Sequence, residues 1–116
     1  MHYYRFNIKD WNDATAHISL EEQAVYFRLI NYYYDKERPL PDDPDFLARK
    51  LRLFGYECQL KSVLKEFFEI SADGLRHPVC DDLVEKYQTN AKKNRENAAR
   101  GGRPRKADII APSGEY

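Results

Sequence analysis

Residues 20–36, LEEQAVYFRLINYYYDK, restrict what this chain can fold into more than any other stretch. Ser19 and Glu22 stand three apart in SLEE, a capping box in which two side chains satisfy amide donors at a helix start, so the spacing predicts a helix from Leu20 to Lys36. At about 100° per residue, Leu20, Ala24, Phe27 and Tyr34 fall on one side and Val25, Leu29, Tyr32 and Tyr33 on the other. Only Glu21, Arg28 and Asp35 leave a narrow polar strip. A helix apolar nearly all round must be covered on most sides, so the other elements have to wrap it. The run Tyr32-Tyr33-Tyr34 could stack on nucleic-acid bases, but aromatic rings at helical spacing are more often core, and they are read as core.

Around this helix the chain is punctuated. Upstream, YYRFNIKDW alternates loosely at Tyr4, Phe6 and Ile8, which predicts a short strand. Downstream, Pro39, Pro41 and Pro44 keep RPLPDDPD from being helical throughout. Asp43 then caps a second helix with Pro44 at its first position, apolar at Phe46, Leu47, Leu51 and Phe54, with Arg49, Lys50 and Arg52 outward and Gly55 as the stop. A third helix in CQLKSVLKEFF has Leu60, Val63, Leu64 and Phe67 inward and Gln59, Lys61, Ser62, Lys65 and Glu66 outward.

The period then changes. FEISADGLRHPV reads as a hairpin turning at Asp73-Gly74, with Pro78 confining its second strand to a sheet edge. A last helix in DDLVEKYQTNAKKNRENAAR is apolar at Leu83, Val84 and Tyr87 and polar and basic beyond. Helices followed at once by a hairpin give an α+β, mainly helical fold class. The expected architecture is a winged-helix module (N-terminal strand, three helices, hairpin wing) over residues 1–87, a basic helical extension with an Arg/Gly/Pro arm over 88–106, and a flexible tail over 107–116.

The formal net charge of zero is an average over unlike parts. Residues 1–85 hold 11 Lys and Arg against 16 Asp and Glu, whereas residues 86–106 hold 8 basic residues against Glu96 alone. An acidic body with a basic arm points to a polyanion partner. Within the arm, RGGRPRK is similar to an AT-hook, in which an extended Arg-Pro segment follows the narrow, electronegative A·T minor groove. The Gly101-Gly102 pair departs from the usual single glycine, and a helix-ending Gly-Gly before a solvated linker is the competing reading.

If the third helix enters a major groove, Gln59 suits adenine, Ser62 a phosphate or base edge, and Lys61 and Lys65 phosphates or guanine. An ordinary solvated helix is the alternative, which Glu57, Glu66 and Glu69 favour. The expected DNA contacts are therefore Gln59, Lys61, Ser62 and Lys65, with Arg76 and His77 in the wing and Lys92, Lys93, Arg95, Arg100, Arg103, Arg105 and Lys106 in the extension and arm.

Chemistry fares less well. Asp42, Asp43 and Asp45 suit helix capping and lack EF-hand spacing, and Asp81-Asp82 suits a helix start. His77 and Cys80, with Cys58, His2 and His17 elsewhere, make no paired zinc signature. No phosphate-binding glycine loop, nucleophile elbow or HExxH occurs. The reading is a non-enzyme with no catalytic residue, cofactor or metal. Nothing approaches the ~20 apolar residues of a membrane span, no signal-like start is present, and Cys58 and Cys80 are expected as free thiols in a reducing compartment.

Five stretches, YYRFNIKDW, ATAHISLEEQAVYFRLINYYY, RPLPDDPDFLARKL, FFEISADGLRHPVCDDLVEKY and NAARGGRPRK, together resemble the YdaU-type family of phage and prophage proteins over most of residues 3–106. Many of its members have no known function, and others are treated as replisome-organiser-like or replication-initiation proteins. The resemblance implies a protein of the bacterial host cytoplasm that binds double-stranded DNA, AT-rich in keeping with the arm, during initiation of phage replication. A replicative helicase or its loader is the candidate protein partner. A transcriptional regulator, or a module whose acidic body docks a replication or host-defence protein, is the alternative.

Overall fold

The computed structural model describes residues 1–101. Where alternation predicts a strand, the chain forms a first helix, α1 (Ile8–Thr15). The reason is local: the Asn7 side chain accepts the Asp10 amide at 3.0 Å and caps the helix start, a signal stronger than three alternating residues. Phe6 precedes the helix and lies against Trp11 and Phe27, ring centroids 5.6 and 6.2 Å away, while Ile8 faces solvent.

Helix α2 (Leu20–Lys36) has the predicted bounds, and its capping box is complete: Ser19 Oγ accepts the Glu22 amide at 3.1 Å and Glu22 Oε1 accepts the Ser19 amide at 3.0 Å. Its burial is narrower than the all-round reading. Val25, Tyr26, Leu29, Ile30, Tyr33 and Tyr34 are buried, two neighbours per turn, whereas Leu20 is 80% exposed and Phe27 sits at the surface beside α1. Tyr33 and Tyr34 are core as read, and Tyr32 lies under the Lys36 ammonium.

Asp43 caps α3 (Pro44–Lys50) through the Phe46 amide at 3.1 Å. The helix ends a turn before the expected stop at Gly55. Arg52 turns left-handed at φ +57°, and the Arg28 guanidinium donates to the carbonyls of Leu51 and Arg52 at 2.8 and 3.2 Å, acceptors that further helical turns would have used. Leu53 enters the core and Phe54 faces out. Helix α4 (Glu57–Phe67) then packs its Leu60, Val63 and Leu64 against α2 and α3.

Strands β1 (Glu69–Ser71) and β2 (Gly74–Arg76) pair antiparallel with Ile70 opposite Leu75. Ser71 pairs with Gly74, so the turn residues are Ala72 and Asp73, one position earlier than expected. Pro78 does not mark a sheet edge. Leu75 exchanges two backbone hydrogen bonds with Leu40, of 2.8 and 2.9 Å, so β2 has a neighbour on each side there, and Pro78 instead opens α5 (Pro78–Gly101). Proline is favoured at that first helical position because its missing N–H would be unpaired anyway.

Residues Met1–Val84 form one compact unit, and the described residues from Glu85 onward belong to a second. The first contains the core, with Leu29, Tyr33, Leu40, Leu47 and Leu60 fully enclosed. In the second, α5 continues to Gly101, with Ala91 half-buried and its other described side chains exposed. Among the described residues no helix is long and apolar enough to cross a membrane.

Gly74 is required by the Leu40 bridge. It has φ +132°, and a Cβ there would collide with the Leu40 carbonyl. Gly74→Ala is expected to cost on the order of 2 kcal/mol, read as a lowered urea midpoint; an unchanged midpoint would mean that the bridge contributes little.

Candidate nucleic-acid interface

On α4, Lys61 and Lys65 are one turn apart and exposed, and among the described residues neither is in an ion pair. Their neighbours are less available. Gln59 is half-buried, and Ser62 Oγ donates to Glu22 Oε2 at 3.1 Å. Together with the Ser19 amide, that bond holds the Glu22 carboxyl below the usual glutamate range, the amide having the larger effect. Glu66 is hydrogen-bonded to His17. Of the four expected α4 contacts, the two lysines remain fully presented.

In the hairpin, Arg76 is committed elsewhere. Its guanidinium bridges Asp73 at 2.9 Å and Asp81 at 3.3 Å, tying the turn to α5 and raising its own pKa. His77 is a correction: it is buried, not on a wing surface. Its carbonyl accepts the Asp81 amide at 2.8 Å and its Nδ1 accepts the Cys80 amide at 3.3 Å, so it caps α5, and its Nε2 lies 2.7 Å from the Tyr26 hydroxyl. With Nδ1 accepting, the proton of the neutral ring belongs on Nε2 and points at Tyr26. Burial pushes the His77 pKa below the usual value, and Asp81 opposes this more weakly. The adjacent Cys80 thiol is pushed up to about 11 by burial, so it packs as a neutral thiol, whereas Cys58 is exposed.

On α5, Lys92, Lys93 and Arg95 are exposed along one continuous helix. The backbone of Arg100 belongs to the same helix, while its side chain and all of Arg103, Arg105 and Lys106 lie outside the described residues. The exposed expected cations therefore fall on two separate surfaces, Lys61 and Lys65 in the first unit and Lys92, Lys93 and Arg95 in the second.

The charge balance of residues 1–85 looks different once the partners are known. Carboxylates cap helices (Glu22, Asp43), close the α4 entry (Glu57 to the Gly55 amide, 3.1 Å) or hold the hairpin (Asp73, Asp81). Of the 11 Lys and Arg, Lys9, Lys36 and Arg76 are the ones in ion pairs among the described residues. Sequence reasoning passed over Arg28, Lys50 and Arg52, which converge at the end of α3; the signal was the ARKLR run across a helix end.

A concavity of about 700 Å³ lies between the N-terminal segment and α2 and is lined by Tyr4, Phe6, Trp11, Tyr26 and His77. Asp10, Asp13 and Asp82 also line it, which suits a polyanion poorly. Among the described residues no group of three or more His, Cys, Asp or Glu is arranged to hold a metal.

A family model described as a protein of unknown function (DUF1376) matches residues 2–85. The chain belongs to this family. No curated protein and no solved structure matches it. The DUF1376 match thus covers α1 to the first turns of α5, including Lys61, Lys65 and the His77 junction, and stops before Lys92, Lys93 and Arg95.

Unfolded, the His77 imidazole takes up a proton near pH 6.5; folded, it stays neutral to lower pH. Its contribution to stability is complete above that value and declines as pH falls below it. Urea midpoints are expected to drop between about pH 7.5 and about pH 5.5, and to drop less in His77→Asn, which can still cap α5. Equal drops would place the acid sensitivity elsewhere.

Proposed function

We propose that this DUF1376 chain binds double-stranded DNA through the outer face of α4 and the basic half of α5, in the initiation of phage DNA replication within the bacterial cytoplasm. The observation that carries the reading is the division of charge. Glu22, Asp43, Glu57, Asp73 and Asp81 of the first unit cap helices or brace the hairpin, while Lys61, Lys65, Lys92, Lys93 and Arg95 are exposed and outside ion pairs among the described residues. Cations without internal partners are what a phosphate backbone requires, because neutralising phosphates releases condensed counterions.

The order of elements supports a winged-helix arrangement. Helix α2, the extended residue Leu40, helices α3 and α4, and strands β1 and β2 follow one another, with Leu40 adding a third partner to the hairpin. In such modules the second helix of the helix-turn-helix pair enters the major groove, which assigns base contacts to α4 and backbone contacts to what precedes it. The replication role rests on the resemblance to YdaU-type proteins, with a helicase or helicase loader as the partner it implies.

The test is fluorescence anisotropy on a labelled AT-rich duplex across a KCl series. Lys92→Ala/Lys93→Ala/Arg95→Ala is expected to weaken binding and to flatten the log–log salt slope by about 2.7, at about 0.9 for each phosphate no longer neutralised. Removing residues 102–116 in a parallel sample measures the arm separately. A wild-type protein whose affinity for duplex is absent, or indifferent to salt, sinks the reading.

A further inference from the structure

Arg52 occupies backbone space that its side chain does not favour. It turns the chain after α3 at φ +57°, where glycine or asparagine is the usual occupant of a helix end. Beside it, Arg28 reaches from α2, and its Nη1 donates to the carbonyls of Leu51 and Arg52, which fixes the guanidinium while leaving its Nε and Nη2 donors for other acceptors. Lys50 completes the group, and the three line an open pocket of about 360 Å³ with Asn31, Tyr32 and Asp35.

We propose that Arg28, Lys50 and Arg52 form a phosphate-binding site that takes the phosphodiester oxyanions of a nucleic-acid backbone. The inference rests on the DNA-binding reading and adds to it an anchor that neither the arm nor α4 supplies. Among the described residues none of the three cations is in an ion pair. The acid in the pocket, Asp35, is 3.9 Å from Lys36, and the Asn31 side-chain oxygen accepts the Tyr4 hydroxyl at 2.6 Å. The dipole of α3 accounts for a cation in its last turn such as Lys50, but not for a left-handed arginine beyond the helix or for a second arginine reaching in from α2.

Arginine presents planar paired donors to phosphate, and an arginine kept where glycine would relax the backbone is local strain retained at a binding point. The placement also fits: the pocket lies on the turn between α3 and α4, and the helix before a recognition helix crosses the DNA backbone.

Three variants test this on the full chain with labelled duplex across a KCl series, each with its thermal midpoint. Arg52→Gly is expected to raise the thermal midpoint, because it relaxes the left-handed residue, and yet to weaken DNA binding; opposite movements are not what a merely structural arginine would give. Lys50→Ala/Arg52→Gly is expected to flatten the salt slope by about 1.8, at about 0.9 per phosphate. Arg5→Ala/Arg38→Ala removes the same charge elsewhere on the first unit and is expected to change the slope less.

If the wild type binds duplex and the Lys50/Arg52 variant matches it in affinity and slope, this site is overturned while the DNA-binding reading stands. Equal losses in both double variants also overturn it, in favour of a general field. A wild type that does not bind duplex overturns the reading and the site together. Inorganic phosphate at constant ionic strength separates the sources: the Nε resonances of Arg28 and Arg52 are expected to respond to duplex well before phosphate, and a response to phosphate alone makes this a free-anion site instead.

Discussion

His77, at the end of the hairpin, joins α2 and α5 within a few ångströms, because its polar atoms are divided between the two helices. Nε2 meets Tyr26 of α2, Nδ1 and the carbonyl cap α5, and the His77 amide donates to the Tyr33 hydroxyl at 3.3 Å. Tyr33 in turn donates to Asp81, which also receives Arg76. Buried polar groups left unpaired are expensive, so a network in which every member is satisfied specifies one relative placement of three elements. Among the described residues no buried side-chain nitrogen or oxygen lacks a partner. The rings around this node, Trp11 on Tyr26 at 5.3 Å and Tyr26 on Phe67 at 4.1 Å, add apolar burial to the same placement.

That arrangement also explains how a unit with an acidic composition can present cations. Carboxylates are short acceptors suited to helix starts and turns, and this fold has many of both. Lysines and arginines carry their charge at the end of long apolar stems and reach solvent even from half-buried positions. Net charge counted along the sequence therefore does not say which charged side chains already have partners within the fold. Arg76 differs, because its two carboxylate partners make it part of the scaffold.

Much of the fold was legible because its signals are short-range. Ser19 with Glu22, and Asp43 with Pro44, each specify a helix start within four residues, and the hairpin follows from a turn between β-prone runs. The failures have long-range or competing causes. The alternation of Tyr4, Phe6 and Ile8 lost to the Asn7 cap. The early end of α3 depends on Arg28, more than twenty residues upstream, and no local pattern announces that. Histidine beside a hairpin arginine read as a surface pair, whereas the position before Pro78 makes it a helix cap, and Tyr26 holds its ring in the interior. At the candidate site, the exposed lysines of α4 followed from periodicity, while the engagement of Ser62 by Glu22 required knowing that α2 and α4 are neighbours.

The bridge between Leu40 and Leu75 has a consequence for how the first unit assembles. Strand β2 finds β1 across a two-residue turn, a cheap closure, but meets Leu40 only after a loop of roughly 35 residues has closed, and that loop contains α3 and α4. The hairpin can form from its own sequence, whereas its attachment waits on the helix pair being in place. The bridge is thus a late, cooperative joint. A change in the α3–α4 turn that lengthens or loosens the loop is felt at the hairpin without touching it, so α4 and the hairpin are coupled through the chain that connects them.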